Sequence, residues 1–402
     1  MSANRSHFLF LNFGHFADHL FMLIFAKAAF SAGLAFGLAE NGAYAEMLPY
    51  GIPAMVLFAA CAPLAAHLAD KWRRNAMMAV FFVGIGLASV ATSFAQSPLQ
   101  VGIGLAAIGV FAAIYHPVGI SMVIQGGGNV GWRLGVNGVW GNMGVAGAPL
   151  LTGFLLSFID WRAAFYVPGA MSVALGLAYV GMIRSGRADP APGTPQERAH
   201  VSFAAGWQRA LVALALVTGA GGFVFGAMTF LVPRLFDVRM TGITDDIALT
   251  GALAAIVYAA AAFSQLAVGR LIDRHPVRRV LVPVALAQPV FLAALALETD
   301  YALFAAALLA MAFVFGQIPI TDAVLARYVP DQWRTKVLSV KFLLNLGVGA
   351  LAIMSARWVL ANDGSFETVM LIVAGAALLV IAAALMLPSR SGTELGAAAP
   401  AE

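Results

Sequence analysis

Twelve long apolar runs, separated by short polar or turn-forming segments, dominate this chain of 402 residues. Each run approaches or exceeds the roughly 20 residues that an α-helix needs to cross the hydrocarbon core of a bilayer. Only 10% of the residues are charged, whereas a soluble domain has roughly 25%. The sequence therefore predicts an all-α membrane protein with twelve transmembrane helices. The predicted spans are 8–36, 47–69, 75–95, 98–124, 130–157, 161–183, 206–234, 247–270, 278–297, 301–327, 333–360 and 366–387.

The composition also excludes several other classes of protein. A single cysteine, Cys61, rules out a disulfide framework and a cysteine-based metal cluster. The net charge of +4 is too small and too scattered for a nucleic-acid-binding protein. The sequence contains no nucleotide-binding loop, hydrolase elbow or metalloprotease motif. We therefore expect no cofactor and no enzyme activity, with a polytopic membrane enzyme as a minor alternative.

Basic residues are distributed unevenly between the two ends of the predicted spans. If the N-terminus is cytoplasmic, 16 of the 23 lysines and arginines fall at cytoplasmic ends and four at the opposite ends. Lysine and arginine are enriched in the cytoplasmic loops of membrane proteins. We therefore expect a multi-pass protein of the cell inner membrane, monomeric in the lipid bilayer, with both termini in the cytoplasm.

A loop of the first half of the chain is repeated in the second half. The segment 66–74 reads Ala-His-Leu-Ala-Asp-Lys-Trp-Arg-Arg, and the segment 269–274 reads Gly-Arg-Leu-Ile-Asp-Arg. Aligning Asp70 with Asp273 gives an offset of 203 residues, about half the chain. The segment between the halves is rich in proline and charge, which is typical of a flexible linker. We predict six-helix bundles at 1–183 and 206–388, a cytoplasmic linker at 184–205 and a flexible cytoplasmic tail at 389–402.

This repeated Gly-x-x-x-Asp-Arg/Lys loop resembles the loop motif of the major facilitator superfamily, although the first copy has Ala66 in the glycine position. The resemblance covers the whole chain and implies two pseudo-symmetric six-helix bundles that work by alternating access. It also implies a charged latch that gates the cytoplasmic face, whereas simple anchoring of charges at that face is the alternative. The latch residues here are Asp70, Lys71, Arg74, Asp273 and Arg274.

The glycine- and proline-rich stretch 141–153 resembles a motif of antiporters in that superfamily. Small residues at this spacing let two helices approach closely. Together with the polar first span and the Tyr-His-Pro step at 115–117, the stretch resembles the fosmidomycin-resistance-like exporters. That resemblance implies export, whereas ordinary tight packing would use the same glycines without any transport direction.

Ionisable residues inside a predicted span are costly and usually functional. In the first span His15, Asp18 and His19 have i, i+3, i+4 spacing, so they share one helix face. His116 in the fourth span lies at a similar depth, so the four groups can meet. A carboxyl group beside imidazoles can exchange protons in the physiological range. We predict that these four residues couple transport to protons.

Two alternatives stay open for this cluster. The histidines could lie at the end of the helix, in contact with lipid headgroups. Three histidines and an aspartate could also hold a transition metal, although we expect no resident metal ion.

Further candidates come from charged, polar and aromatic residues in other positions. Asp322 in the tenth span and Lys341 in the eleventh lie at matched depth, which predicts an ion pair that is structural or opens during transport. Lys27 has no assignable acidic partner, so it either snorkels or meets an anionic group of the solute. The resemblance implies that spans 1, 4, 7 and 10 line a central cavity. The candidates for contact with solute are Lys27, Phe21, Tyr115, Phe225, Gln317 and Asn345.

These features together predict a secondary transporter that moves a small organic solute by alternating access, with protons as the driving partner. Export by proton antiport is the leading hypothesis. Uptake of an organic anion by proton symport is the main alternative, favoured by Lys27 and Lys341, and a passive facilitator is less favoured.

Overall fold

The computed structural model describes residues 3–125, 130–186, 203–362 and 364–388. Within these ranges the chain forms α-helices, one 3₁₀ turn at Leu48–Gly51 and one π-helical turn at Tyr115–Gly119, and no strand. The α-helices are α1 (Ala3–Ala35), α2 (Ala43–Met47), α3 (Ile52–Lys71), α4 (Arg74–Ser93), α5 (Pro98–Ala112), α6 (Ile120–Gln125), α7 (Val130–Phe158), α8 (Ala163–Arg184), α9 (Trp207–Arg239), α10 (Ile247–Arg274), α11 (Val277–Leu297), α12 (Asp300–Tyr328), α13 (Asp331–Ala361) and α14 (Phe366–Met386).

Twelve helical segments in the described part of the chain are long and apolar enough to cross a bilayer. Each coincides with one predicted span, so the predicted fold class is confirmed. The second span consists of α2, the 3₁₀ turn and α3, and the fourth consists of α5, the π-helical turn and α6. Two ends differ by five residues: the first span was predicted to start at 8, whereas α1 starts at Ala3, and the seventh was predicted to stop at 234, whereas α9 continues to Arg239.

The π-helical turn interrupts the fourth span at Pro117. Proline cannot donate a backbone hydrogen bond, and its ring disturbs the preceding turn of an α-helix. The chain widens to a π-helical turn at this point, a feature that is frequent at functional sites. Tyr115 and His116 therefore project from a widened turn instead of a regular helix.

Packing contacts group the helices into two compact units. The first contains 1–195 and 229–259, and the second contains 196–228 and 260–402. In the first unit α1 packs along α7 and α4 packs along α8, whereas in the second α11 packs against α12 and α14. The predicted division into six-helix bundles that end at 183 and begin at 206 stays a prediction. Most of the predicted linker (187–202) and the whole predicted tail (389–402) lie outside the described residues.

Glycines allow α7 to lie directly against α1. A Cβ atom on Gly144 would lie 2.2 Å from the carbonyl oxygen of Phe16, and one on Gly147 would lie 2.9 Å from the ring of Phe16. Backbone at 2.2 Å leaves room only for hydrogen, so position 144 requires glycine, whereas a side chain at position 147 would have to displace the ring of Phe16. The stretch 141–153 thus has a packing function that is independent of transport direction.

We expect Gly144→Ala to lower the midpoint of thermal unfolding of the purified protein, because the added methyl group forces α1 and α7 apart. Overpacking of this kind costs about 1–3 kcal/mol. Gly138→Ala on the same helix is the matched control, because no described residue outside the surrounding helix backbone comes within 4 Å of the position that its new Cβ atom would take. Equal midpoints for the two variants would show that α7 does not depend on close contact with α1.

Candidate functional site

A buried carboxyl group, that of Asp18, faces the histidine of the π-helical turn. Asp18 is fully buried in the first unit, and its Oδ2 lies 3.3 Å from Nε2 of His116. Neither carboxyl oxygen is held by a hydrogen bond of good geometry from another described residue. Charge on a buried carboxyl group is costly unless a partner compensates it. The charge on Asp18 therefore depends on the protonation of the imidazole beside it.

Two more imidazole rings complete this cluster. The ring centroid of His15 lies 5.1 Å from that of His19, and these two centroids lie 5.3 and 5.5 Å from that of His116. One ring nitrogen of each histidine lies within 4.8 Å of the other two. The structure thus brings together the four residues that the sequence predicted for proton coupling. The spacing suits either protons exchanged among the groups or a shared transition-metal ion, the alternative that the sequence leaves open.

The ring of His15 is held in place by α7. Its Nδ1–H donates a hydrogen bond of 2.8 Å to the carbonyl oxygen of Asn137. A carbonyl oxygen only accepts, so this bond fixes a proton on Nδ1 and leaves Nε2 as the nitrogen that can change protonation. A Cβ atom on Gly141 would lie 2.6 Å from that Nε2. The glycine at 141 therefore makes room for the ring.

Lys27 forms a buried ion pair within the first unit. Its Nζ donates hydrogen bonds to Oδ1 of Asp237 and, at 2.8 Å, to Oγ1 of Thr250. Arg234 lies on the other side of Asp237, with 3.9 Å between Nη1 and Oδ2, and its guanidinium stacks over the ring of Phe30 at 3.5 Å. Lys27 is only 2% exposed. Its charge is balanced by a carboxylate inside the protein, so the side chain does not snorkel to the surface.

Aromatic candidates for solute contact have different surroundings. Phe21 and Tyr115 are buried in the first unit, and the hydroxyl group of Tyr115 donates a hydrogen bond of 2.8 Å to the carbonyl oxygen of Leu11. Phe225 in the second unit is half-buried, with its ring centroid 5.6 Å from that of Phe315. Contact of these rings with a solute stays a prediction.

Polar candidates in the second unit are held by their neighbours. Gln317 accepts a hydrogen bond of 2.7 Å from the side-chain amide of Gln288 and donates one of 3.3 Å to the carbonyl oxygen of Val217. Asn345 lies against α9, where a Cβ on Gly222 would be 2.7 Å from its Oδ1. Gln317 is therefore engaged with the protein itself, and solute contact by either residue stays a prediction.

The charged pair of the second unit lies at an accessible position. Nζ of Lys341 donates a hydrogen bond to Oδ1 of Asp322, and the side chain of Asp322 is 57% exposed. An ion pair this exposed contributes little to stability. It can therefore break and re-form without a large free-energy penalty.

The charged latch stays a prediction. Lys71 and Arg274 are exposed and Arg74 is half-buried. The side chains of Asp70 and Asp273 lie outside the described residues.

Four polar residues of the first unit were not predicted from the sequence. Asp237 and Thr250 bind Lys27, whereas Asn12 and Asn137 bind each other next to the histidine cluster. Asn137 could have been noticed in the sequence, because it is a polar amide residue inside the glycine-rich fifth span. Asp237 had no such signal, because it lies beyond the predicted end of its span.

Comparisons with known proteins agree with this architecture. The family model described as Major Facilitator Superfamily matches residues 13–244 and 240–402. The puromycin resistance protein of Streptomyces alboniger is 33% identical over 118 residues, which cover 28% of this chain and only 24% of that relative. The solved D-xylose–proton symporter has a TM-score of 0.75 at 12% identity, with 96% of this chain and 98% of that chain covered. A bacterial homologue of the human lysosomal transporter Spinster, inward-facing and unoccupied, has a TM-score of 0.74 at 15% identity, with 96% of each chain covered. At such identities the solved structures show a shared fold.

Proposed function

The chain belongs to the Major Facilitator Superfamily and is a multi-pass membrane transporter, and we propose that it exports a small organic solute in exchange for protons. The observation that carries the proposal is the fully buried carboxyl group of Asp18, 3.3 Å from the imidazole of His116. Ionisable groups inside a membrane span are rare and typically form proton relays or substrate sites. The family and fold are those of transporters.

Asp18 and His116 together can hold one exchangeable proton at a buried position. With the proton on His116 only, the pair is an ion pair, and with an added proton on Asp18 the pair carries a positive charge. These states differ in the free energy of burial. If the pair is buried to a different extent in the inward-open and outward-open conformations, the two conformations therefore bind the proton with different affinity. Because a ligand shifts an equilibrium only by its differential affinity, proton binding can bias which side is open.

His15 and His19 enlarge this proton site. Their ring centroids lie 5.3 and 5.5 Å from that of His116, and one ring nitrogen of each of the three histidines lies within 4.8 Å of the other two. A neutral imidazole has one ring nitrogen that can accept a proton. Because the three rings lie this close together, we propose that the proton that enters at Asp18 passes among them before it leaves.

Export is supported over uptake by two observations. The stretch 141–153 resembles the motif of antiporters, and one relative is named for puromycin resistance. Removal of a toxic compound is one way in which a transporter gives resistance. The lysines that favour the symport of an organic anion, Lys27 and Lys341, are both engaged with carboxylates. The positive charge of each is already compensated by that carboxylate, so this alternative receives less support.

The proposal includes location and assembly. The distribution of basic residues favours an inner-membrane protein with both termini in the cytoplasm. The described part of the chain has twelve spans, enough for both six-helix halves of a transporter, so we propose that it works as a monomer.

Everted membrane vesicles test the direction and the coupling together. A panel of neutral and cationic lipophilic compounds is first reduced to those that raise the unfolding temperature of the purified protein. We expect everted vesicles that contain the protein to accumulate such a compound when their interior is acid, and to release it when an ionophore collapses the pH gradient. Vesicles from cells without the protein are the control. Accumulation that is indifferent to the gradient would contradict proton coupling, and gradient-driven uptake only by right-side-out vesicles would contradict export.

A further inference from the structure

A second polar cluster of the first unit lies next to the proton site and has no part in the proton step described above. It joins α1, the π-helical turn and α7. The side-chain amide of Asn137 donates hydrogen bonds to Oδ1 of Asn12 at 2.9 Å and to the hydroxyl oxygen of Tyr115 at 2.8 Å. The hydroxyl group of Tyr115 in turn donates its own hydrogen to the carbonyl oxygen of Leu11 at 2.8 Å. Both amide hydrogens of Asn137 and the one hydroxyl hydrogen of Tyr115 are thereby used.

Asn137 also holds the proton site from its backbone. Its carbonyl oxygen accepts the hydrogen bond from Nδ1–H of His15, and its side chain binds the hydroxyl group of Tyr115. The rings of these two partners stack, with centroids 4.8 Å apart and planes inclined by 22°. Asn137 is 1% exposed and Tyr115 is fully buried, so water does not compete for these bonds.

The ring of Tyr115 fits its position without spare room. A Cβ atom on Gly14 would lie 2.8 Å from its Cε2 atom, and a Cβ atom on Gly119 would lie 2.7 Å from the same atom. Glycine at both positions therefore lets the ring pass between α1 and its own turn. The hydroxyl group then reaches the carbonyl oxygen of Leu11 on the far side.

The next residue along the turn is His116, the partner of Asp18. Pro117 removes a backbone donor from this turn, so regular helix hydrogen bonds hold it less firmly than the flanking helices. Side-chain anchors therefore determine where the turn lies. We infer that Asn137 is a positioning residue of the proton site, which acts through Tyr115 to hold the π-helical turn and thereby sets the place of His116 against Asp18. The inference rests on the proposed function, because it assigns a role within proton coupling.

The titratable groups that face this pair are few among the described residues. They are His15 and His19 on α1 and Tyr115 on the π-helical turn, while α3 presents the ring of Phe58 to His116 with 5.7 Å between the ring centroids. A shift of the π-helical turn relative to α1 therefore changes the distances from His116 to Asp18, His15 and His19 together.

Tyr115→Phe tests the inference with the loss of one oxygen atom, and Asn137→Ala tests it at the other end of the same bond. We expect each variant to move the pH of half-maximal solute transport by about one unit, with less than about a twofold change in solute affinity. Because both variants remove the hydrogen bond between Asn137 and Tyr115, the double variant should show a smaller shift than the sum of the two single variants. Tyr179→Phe is the matched control, since its buried hydroxyl group binds His7 and Asn75, away from the proton site.

The outcomes separate this inference from the proposed function. If wild-type transport ignores the pH gradient, the proposed function fails. If wild-type transport is proton-coupled and Tyr115→Phe keeps the wild-type pH profile, the positioning role is wrong. Equal shifts for Tyr115→Phe and Tyr179→Phe would also overturn it, because they would report a general loss of buried hydrogen bonds. Should Asn137→Ala fail to fold, Tyr115→Phe alone decides the question.

Discussion

Asp18→Asn is expected to abolish solute accumulation against a gradient in proteoliposomes, while solute exchange without an imposed pH gradient persists. Asparagine keeps the shape of the side chain and cannot take up a proton. A one-to-one exchanger reaches about a tenfold solute gradient for each pH unit, because a tenfold ratio corresponds to about 1.4 kcal/mol. We expect the variant to reach only equal concentrations on both sides. The measurement is the steady-state solute ratio at a fixed pH difference.

A second carboxyl variant controls for the general effect of removing a negative charge. Glu298→Gln changes an exposed carboxyl group at the end of α11, outside the proposed site, and should keep the wild-type ratio. Wild-type accumulation by Asp18→Asn would remove Asp18 from coupling and leave the three histidines as the candidates.

Lys27→Met is expected to destabilise the protein strongly, because it removes the main counter-charge of Asp237, whose side chain is only 11% exposed. Breaking a buried ion pair by removing one partner costs about 3–5 kcal/mol. We expect a loss of about 3 kcal/mol, since Arg234 at 3.9 Å compensates Asp237 in part. The double variant Lys27→Met, Asp237→Asn should recover most of this loss, because neither side chain is then charged. The measurement is the unfolding midpoint in detergent for each single variant and for the double variant.

The exposed pair of the second unit provides the comparison for this experiment. Asp322→Asn should change stability by at most about 1 kcal/mol, because surface ion pairs contribute little, and the Asp322 side chain is 57% exposed. Equal losses for Lys27→Met and Asp322→Asn would contradict the assignment of Lys27 to a buried pair. A double variant as unstable as the sum of its single variants would also contradict it.

The spans could be predicted because a bilayer leaves an apolar run of this length one solution, the helix. The prediction was wrong at the end of the seventh span for a physical reason. The predicted span ended at 234, and the charged residues Asp237 and Arg239 lie beyond that end. α9 instead continues to Arg239, because Lys27 compensates the charge on Asp237 inside the protein.

The proton site was predictable in part. The spacing of His15, Asp18 and His19 places them on one helix face, and depth alone suggested His116 as their neighbour. The partner of Lys27 could not be predicted in this way. Asp237 is 210 residues away in the chain, and helix periodicity gives no information about contacts at that separation. The role of Asn137 depends on hydrogen bonds that join α1, the π-helical turn and α7. Such geometry cannot be read from a single sequence.

Proton release on solute binding tests the central claim most directly. Purified protein in weakly buffered detergent solution is mixed with a stabilising solute at a pH where the site is protonated, and a pH indicator records the protons released. The wild type is expected to release protons in proportion to the solute bound, and Asp18→Asn to bind solute without that release. Solute binding by the wild type with no release, or equal release by both proteins, would contradict proton coupling at Asp18.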